Sequence, residues 1–224
     1  MAVPAATPPA AIDRFLRILG GLDIPVWDSF DDFEHVLTLA QQSDAPGPLA
    51  LLRSTAISPL FLQHPLRLYA LAARLKWVEE MKIASMFTLA LHIYDDHHRP
   101  LLQRLPAKEL LDLLFLHRSR RDRFKYLLDS EATFNAGNSQ PYYCPACATQ
   151  LDNQPWQALK FRMVLELDKR PLGDTLLDML DEWQEAVACW NACCSTKECG
   201  RPYYDKMATL REIRACLEQL PSSV

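Results

Sequence analysis

Along most of this chain apolar residues recur every three or four positions, and prolines rather than glycines interrupt the runs. There are sixteen prolines and six glycines in 224 residues. That spacing places side chains on one face of a helix, whereas the alternation of half-buried strands is scarce. It predicts an all-α fold, an array of short antiparallel helices with a cysteine-bearing C-terminal part.

The residues also place the elements. Residues 1–11, rich in Ala and Pro, are expected to form a disordered leader. A first helix is expected over Ile12–Leu19, where Gly20-Gly21 breaks it. Ser29 followed by Asp32, with Asp31 and Glu34 close by, resembles a capping box and predicts a helix from about Phe30 to Gln42. Phe30, Phe33, Val36, Leu37 and Ala40 would share its buried face. Pro46 and Pro48 end that helix, and a shorter one runs through Leu49–Ala56. Pro65 suits a first helical turn and opens Leu66–Leu75. The next helix is expected over Trp77–Tyr94, paired antiparallel with its predecessor, and a long one over Ala107–Leu128. In that long helix the stripe Leu110, Leu113, His117, Arg120, Phe124, Leu127 carries two polar residues midway, which marks a polar or solvated neighbour. Residues 129–154 have loop composition. Helices resume over Trp156–Leu167, Asp174–Trp190 and Tyr203–Leu220. A division into residues 12–130 and 131–224 is expected.

Formal net charge is -4 and the pI is near 5.9. Such a chain lacks the basic footprint that phosphate backbones select, so nucleic acid is not an expected partner. No apolar run approaches the roughly 20 residues of a membrane span, and no charged start followed by an apolar run marks export. The expectation is a cytoplasmic or nuclear protein with no membrane partner, its seven cysteines present as thiols or metal ligands rather than disulfides. The pair Gly20-Gly21 is not followed by the lysine and hydroxyl residue of a phosphate loop, which argues against nucleotide chemistry.

The chemistry resides in the cysteines. Cys144-Pro145-Ala146-Cys147 has the two-residue spacing that aims both sulfurs at one tetrahedral ion, and a second pair, Cys194 and Cys199, would close the site as a structural zinc clip. Cys193 could replace Cys194, and Cys189 with Cys193 lies one helical turn apart. Ordinary buried cysteines and a reactive thiol pair are the competing readings, since free cysteine packs well in cores. Four thiolates around one ion leave no open position for water, so such a clip would supply folding energy and no Lewis acidity.

Two other clusters are weaker. Arg118, Arg120, Arg121, Arg123 and Lys125 form a basic run that reads first as a solvated helix face and second as the DNA contact of a transcriptional regulator. Asp95, Asp96, His97 and His98 lie on what reads as an extended linker, where successive side chains diverge and do not converge on an ion. No catalytic site is expected. An enzyme using the Cys144/Cys147 pair is the alternative, and it requires an exposed, acidified thiol in a cleft.

The segment Phe33-Glu34-His35-Val36-Leu37-Thr38-Leu39-Ala40, then Leu51-Leu52-Arg53, then Ser58-Pro59-Leu60-Phe61-Leu62-Gln63-His64-Pro65 through Trp77, resembles the second half of a BTB/POZ domain and the helices after it, as found in BTB proteins of mushroom-forming fungi. His117-Arg118, Cys144/Cys147, Trp156 and Cys194/Cys199 stand where those proteins place a His-Arg helix, a Cys-x2-Cys loop, a Trp-bearing helix and a second cysteine group. The resemblance spans about four-fifths of the chain and leaves out the β-rich half of the BTB fold, which carries much of its dimer surface. It implies a non-enzymatic protein–protein interaction module, a scaffold or ubiquitin-ligase adaptor with protein partners and a tendency to self-associate through exposed apolar surface.

Overall fold

The structure is a computed structural model and describes residues 8–224. Among the described residues there are thirteen α-helices and no strand; two isolated antiparallel bridges are the only extended pairings. The all-α expectation is met. The leader expected over residues 1–11 falls mainly on residues 1–7, which lie outside the described residues, while Pro9–Ala11 are already helical and Ala11 is buried. The chain forms two compact units.

The first unit comprises residues 8–87 and 100–106 of the described chain. Its helices are α1 (Pro9–Leu19), α2 (Phe30–Gln42), α3 (Pro46–Thr55), α4 (Pro59–Leu62), α5 (Pro65–Leu75) and α6 (Val78–Thr88), followed later by the single turn α7 (Arg99–Leu102). Ser29 caps α2 by accepting a hydrogen bond from the Asp32 amide at 3.1 Å, which satisfies one of the free donors at the helix start. The expected face of α2 is the buried one: Phe30, Phe33, Val36, Leu37 and Ala40. Phe33 and Phe61 lie with ring centroids 4.5 Å apart, and Trp27 and Phe30 meet both edge-on. Burial of such rings stabilises by about 1.5–3 kcal/mol each. Arg14 is buried on α1 and is neutralised by Asp32, with its guanidinium 4.6 Å from the Trp27 ring.

The second unit comprises residues 88–99 and 107–224. It contains α8 (Ala107–Leu128), α9 (Asn135–Asn138), α10 (Gln154–Lys169), α11 (Leu176–Met179), α12 (Gln184–Trp190) and α13 (Lys206–Glu218). Helix α10 packs between α8 and α12, and α13 lies on α8. Phe124, Trp156, Leu159, Met163, Leu167, Trp183 and Ile213 form the centre of its core. The compact units do not divide near residue 130. Helix α8 sits with the cysteine-bearing part because Phe124 and Leu128 share that core.

Three other expectations are corrected. The helix expected to reach Tyr94 stops at Thr88: the next carbonyls, Leu89 and Ala90, accept from the Leu172 amide (2.8 Å) and the Arg170 guanidinium (2.8 Å) rather than from helical amides. Residues 174–190 split into α11 and α12 around an extended Trp183, which is buried against the core with Arg162 4.8 Å above its ring. The Asp95–His98 stretch is a 3-10 turn over Asp96–His98, not an extended linker. Asp95 accepts from His92 Nδ1 at 2.9 Å, and that hydrogen bond holds its carboxyl below the usual range.

Candidate metal centre

Each cysteine pair sits on a tight antiparallel turn, and the two turns repeat one hydrogen-bond pattern. In the first, the Cys144 amide donates to the Thr149 carbonyl (2.8 Å) and the Leu151 amide to the Tyr142 carbonyl (2.9 Å), with a bridge between Tyr143 and Gln150. In the second, the Cys194 amide donates to Arg201 (2.9 Å) and the Tyr203 amide to Ala192 (2.9 Å), with a bridge between Cys193 and Pro202. Counted from its own cysteines, every partner occupies the same position. In both turns the residue after the second cysteine has a left-handed backbone, Ala148 at φ 58° and Gly200 at φ 52°. Glycine adopts that region without strain; alanine does so at a cost of roughly 1 kcal/mol. The two extra residues of Cys194-Ser195-Thr196-Lys197-Glu198-Cys199 are absorbed at Thr196, whose carbonyl accepts from both the Cys199 and Gly200 amides.

The turns face each other. Cys144 Sγ lies 3.7 Å from Cys199 Sγ, and Cys147 Sγ lies 3.4 Å from Cys194 Sγ. All four sulfurs fall within 4.8 Å of one another, the one such cluster of metal-ligating side chains among the described residues. A tetrahedral ion with sulfur bonds near 2.3 Å separates its ligands by about 3.8 Å. A disulfide would bring two of the sulfurs to about 2.05 Å. The donor set and its spacing are therefore compatible with zinc.

Cys144 and Cys194 are buried against Leu151, with Tyr142 and Tyr203 packed alongside, whereas Cys147 is exposed and Cys199 half-buried. The Thr149 and Thr196 hydroxyls hydrogen-bond each other at 2.8 Å, and they lie 3.3 Å and 3.7 Å from Cys147 Sγ. Thr149, through its hydroxyl and then its amide, pulls the Cys147 thiol down to about 6, with Thr196 and Cys194 adding to the effect. At Cys199 the Arg201 amide works in the same direction, but desolvation and hydrogen bonding to its three sister thiols outweigh it and raise the group to about 11. The surroundings thus favour the thiolate at Cys147 and disfavour it at Cys199.

The expected set Cys144, Cys147, Cys194, Cys199 is the set brought together. Cys193 does not join it. It occupies the bridge position, and neighbouring residues on extended backbone point to opposite sides. Cys189 is in the helical core, where burial pushes its thiol up to about 12, and Cys216 is likewise buried, at about 11. Sequence spacing gave no sign of Thr149 and Thr196, since isolated threonines beside cysteines carry no pattern of their own.

The basic run is not a free patch. Arg120 is only 5% exposed and donates to the carbonyls of Pro171 (2.6 Å), Leu172 (3.2 Å) and Pro221 (2.6 Å). Arg121 pairs with Asp122 and Asp168, Arg118 with Asp122, and Arg123 lies over the Tyr126 ring. The solvated-face expectation therefore fails at Arg120, and the polar interruption of the α8 stripe is an interior hydrogen-bonding site. His117, 3% exposed, lies 3.1 Å from Thr88 Oγ1 within the same interior. No family model, curated protein or solved structure matches this chain.

Proposed function

We propose that this chain is a non-enzymatic protein-interaction module whose second unit is pinned by a structural zinc ion held by Cys144, Cys147, Cys194 and Cys199. The observation that carries the reading is the pair of like turns converging four sulfurs within 4.8 Å. Four thiolates complete a tetrahedron, so the ion would cross-link residues about fifty positions apart and leave no site for water or substrate. The chemistry it supplies is cohesion. The likeness of residues 33–77 to the second half of a BTB/POZ domain supports a scaffold or adaptor role, and the exposed apolar side chains Ile12, Leu16 and Leu19, on one face of α1, fit surface used in association.

Metal analysis of the purified protein should give one equivalent of zinc. Cys147→Ala should lose that zinc and lower the melting temperature together, by roughly 10 °C or more. Maleimide should label Cys147 slowly in the loaded protein and rapidly after chelation. Unchanged melting with no zinc would remove the metal centre in favour of plain thiols, and rapid labelling of the loaded protein would point to a thiol enzyme.

A further inference from the structure

The four sulfurs differ in exposure, and their contacts sort them into two pairs. Cys147, exposed on the first turn, meets Cys194, buried on the second, with the sulfurs 3.4 Å apart. Cys199, half-buried on the second turn, meets Cys144, buried on the first, at 3.7 Å. Each contact therefore joins an outer sulfur to an inner one, and each crosses from one turn to the other. The residues so joined lie 47 and 55 positions apart in the chain.

A small peroxide reaches the outer sulfurs first, and the thiolate is the form that attacks it. When Cys147 Sγ attacks hydrogen peroxide, the O–O bond breaks, hydroxide leaves and the sulfur becomes a sulfenic acid. Cys194 Sγ then attacks that sulfur, the S–O bond breaks, a second hydroxide leaves and the disulfide forms. Two thiolates are oxidised and one peroxide is reduced. The sulfurs close from 3.4 Å to about 2.05 Å. A metal ion needs deprotonated thiolates, so this pairing removes two of its four ligands, and the same chemistry at Cys199 and Cys144 removes the others. Cys193 is exposed, but it occupies the bridge position and lies on the opposite side of the extended backbone from Cys194.

We propose that Cys147 is a peroxide-oxidation site resolved by Cys194, with Cys199 and Cys144 as the second such pair, so that oxidation exchanges the metal cross-link for covalent ones between the same two turns. The inference rests on reading the four cysteines as a closed zinc centre. Its consequence is a chain that gives up the ion without letting the turns separate. Pairing within a turn, Cys144 with Cys147 or Cys194 with Cys199, would leave them free of each other.

The test adds hydrogen peroxide to the full, zinc-loaded chain while a coloured chelator reads the zinc released. Release should follow peroxide and be reversed by a dithiol reductant with added zinc. The oxidised chain should be lighter than the reduced metal-free chain by two hydrogens for each disulfide, and should melt roughly 10 °C above it. In a non-reduced tryptic digest, cleavage after Lys197 separates Cys194 from Cys199, and fragmentation between Cys144 and Cys147 identifies the partner of each. Cys147 should be found joined to Cys194 and Cys144 to Cys199, and Cys193→Ser should change none of these readouts. Links confined within the turns, the opposite cross-turn pairing, zinc retained under peroxide, or Cys147 carried to sulfinic acid without a link would each overturn the assignment. Zinc content measured beforehand separates the two readings: a loaded chain that forms no cross-turn link removes this inference alone, whereas a reduced chain that takes up no zinc removes the centre and the exchange with it.

Discussion

Gly137 shows how little room a single atom has in the second unit. A Cβ built there would lie 2.2 Å from Cδ1 of Trp156, a side chain that is itself fully buried and cannot step aside. The Gly137 carbonyl accepts from Asn153 Nδ2 (3.0 Å) and Gln157 Nε2 (2.8 Å), so the backbone is fixed from the other side as well. Gly137→Ala should therefore cost roughly 1–3 kcal/mol or more, seen as a lower urea midpoint with an unchanged slope. Gly21, whose Cβ would meet nothing within 4 Å, gives a control for backbone strain without crowding.

Helix α8 derives its position from a buried cation held by backbone carbonyls. Desolvation pulls the Arg120 guanidinium down from its ordinary range, and three carbonyls at close range compensate. Pro171 and Leu172 follow α10, and Pro221 follows α13, so one side chain fastens both helix exits to the middle of α8. Arg120→Met should destabilise the protein by roughly 2–4 kcal/mol because those carbonyls lose their donor, and Arg120→Lys should recover only part, a single ammonium being unable to span the fork; thermal or urea unfolding measures both. Elements with local signals were legible in the sequence. Ser29 and the α2 stripe gave Phe30–Gln42, Pro65 gave the start of α5, and Ala107–Leu128 followed from its periodicity. Elements decided by distant partners were not. Nothing near Thr88 says that the Leu89 carbonyl will be claimed by Leu172, and nothing near Arg120 says that its charge turns inward. The cysteine set was readable because two spacings fit one tetrahedron, whereas the match between the two turns depends on backbone hydrogen bonds that spacing cannot reveal.

Across the whole molecule, His117 ties stability to acidity. Burial, reinforced by the charge of Arg120, lowers it from 6.5 to about 4. The unfolded chain therefore takes up this proton before the folded one does. Its effect on stability is absent above pH 6.5 and grows unfavourably as pH falls toward 4, reaching on the order of 3 kcal/mol. Urea unfolding of the wild type between pH 7 and 4 should show that decline, and His117→Gln should flatten it. The cysteine cluster, for its part, is lopsided: Cys144 and Cys194 face the interior, while Cys147 meets solvent. An ion bound there would have a dry side and a wet side. Donors and chelators would approach from the wet side, so loading and release would begin at the bonds to Cys147 and the half-buried Cys199, while Cys144 and Cys194 would let go last.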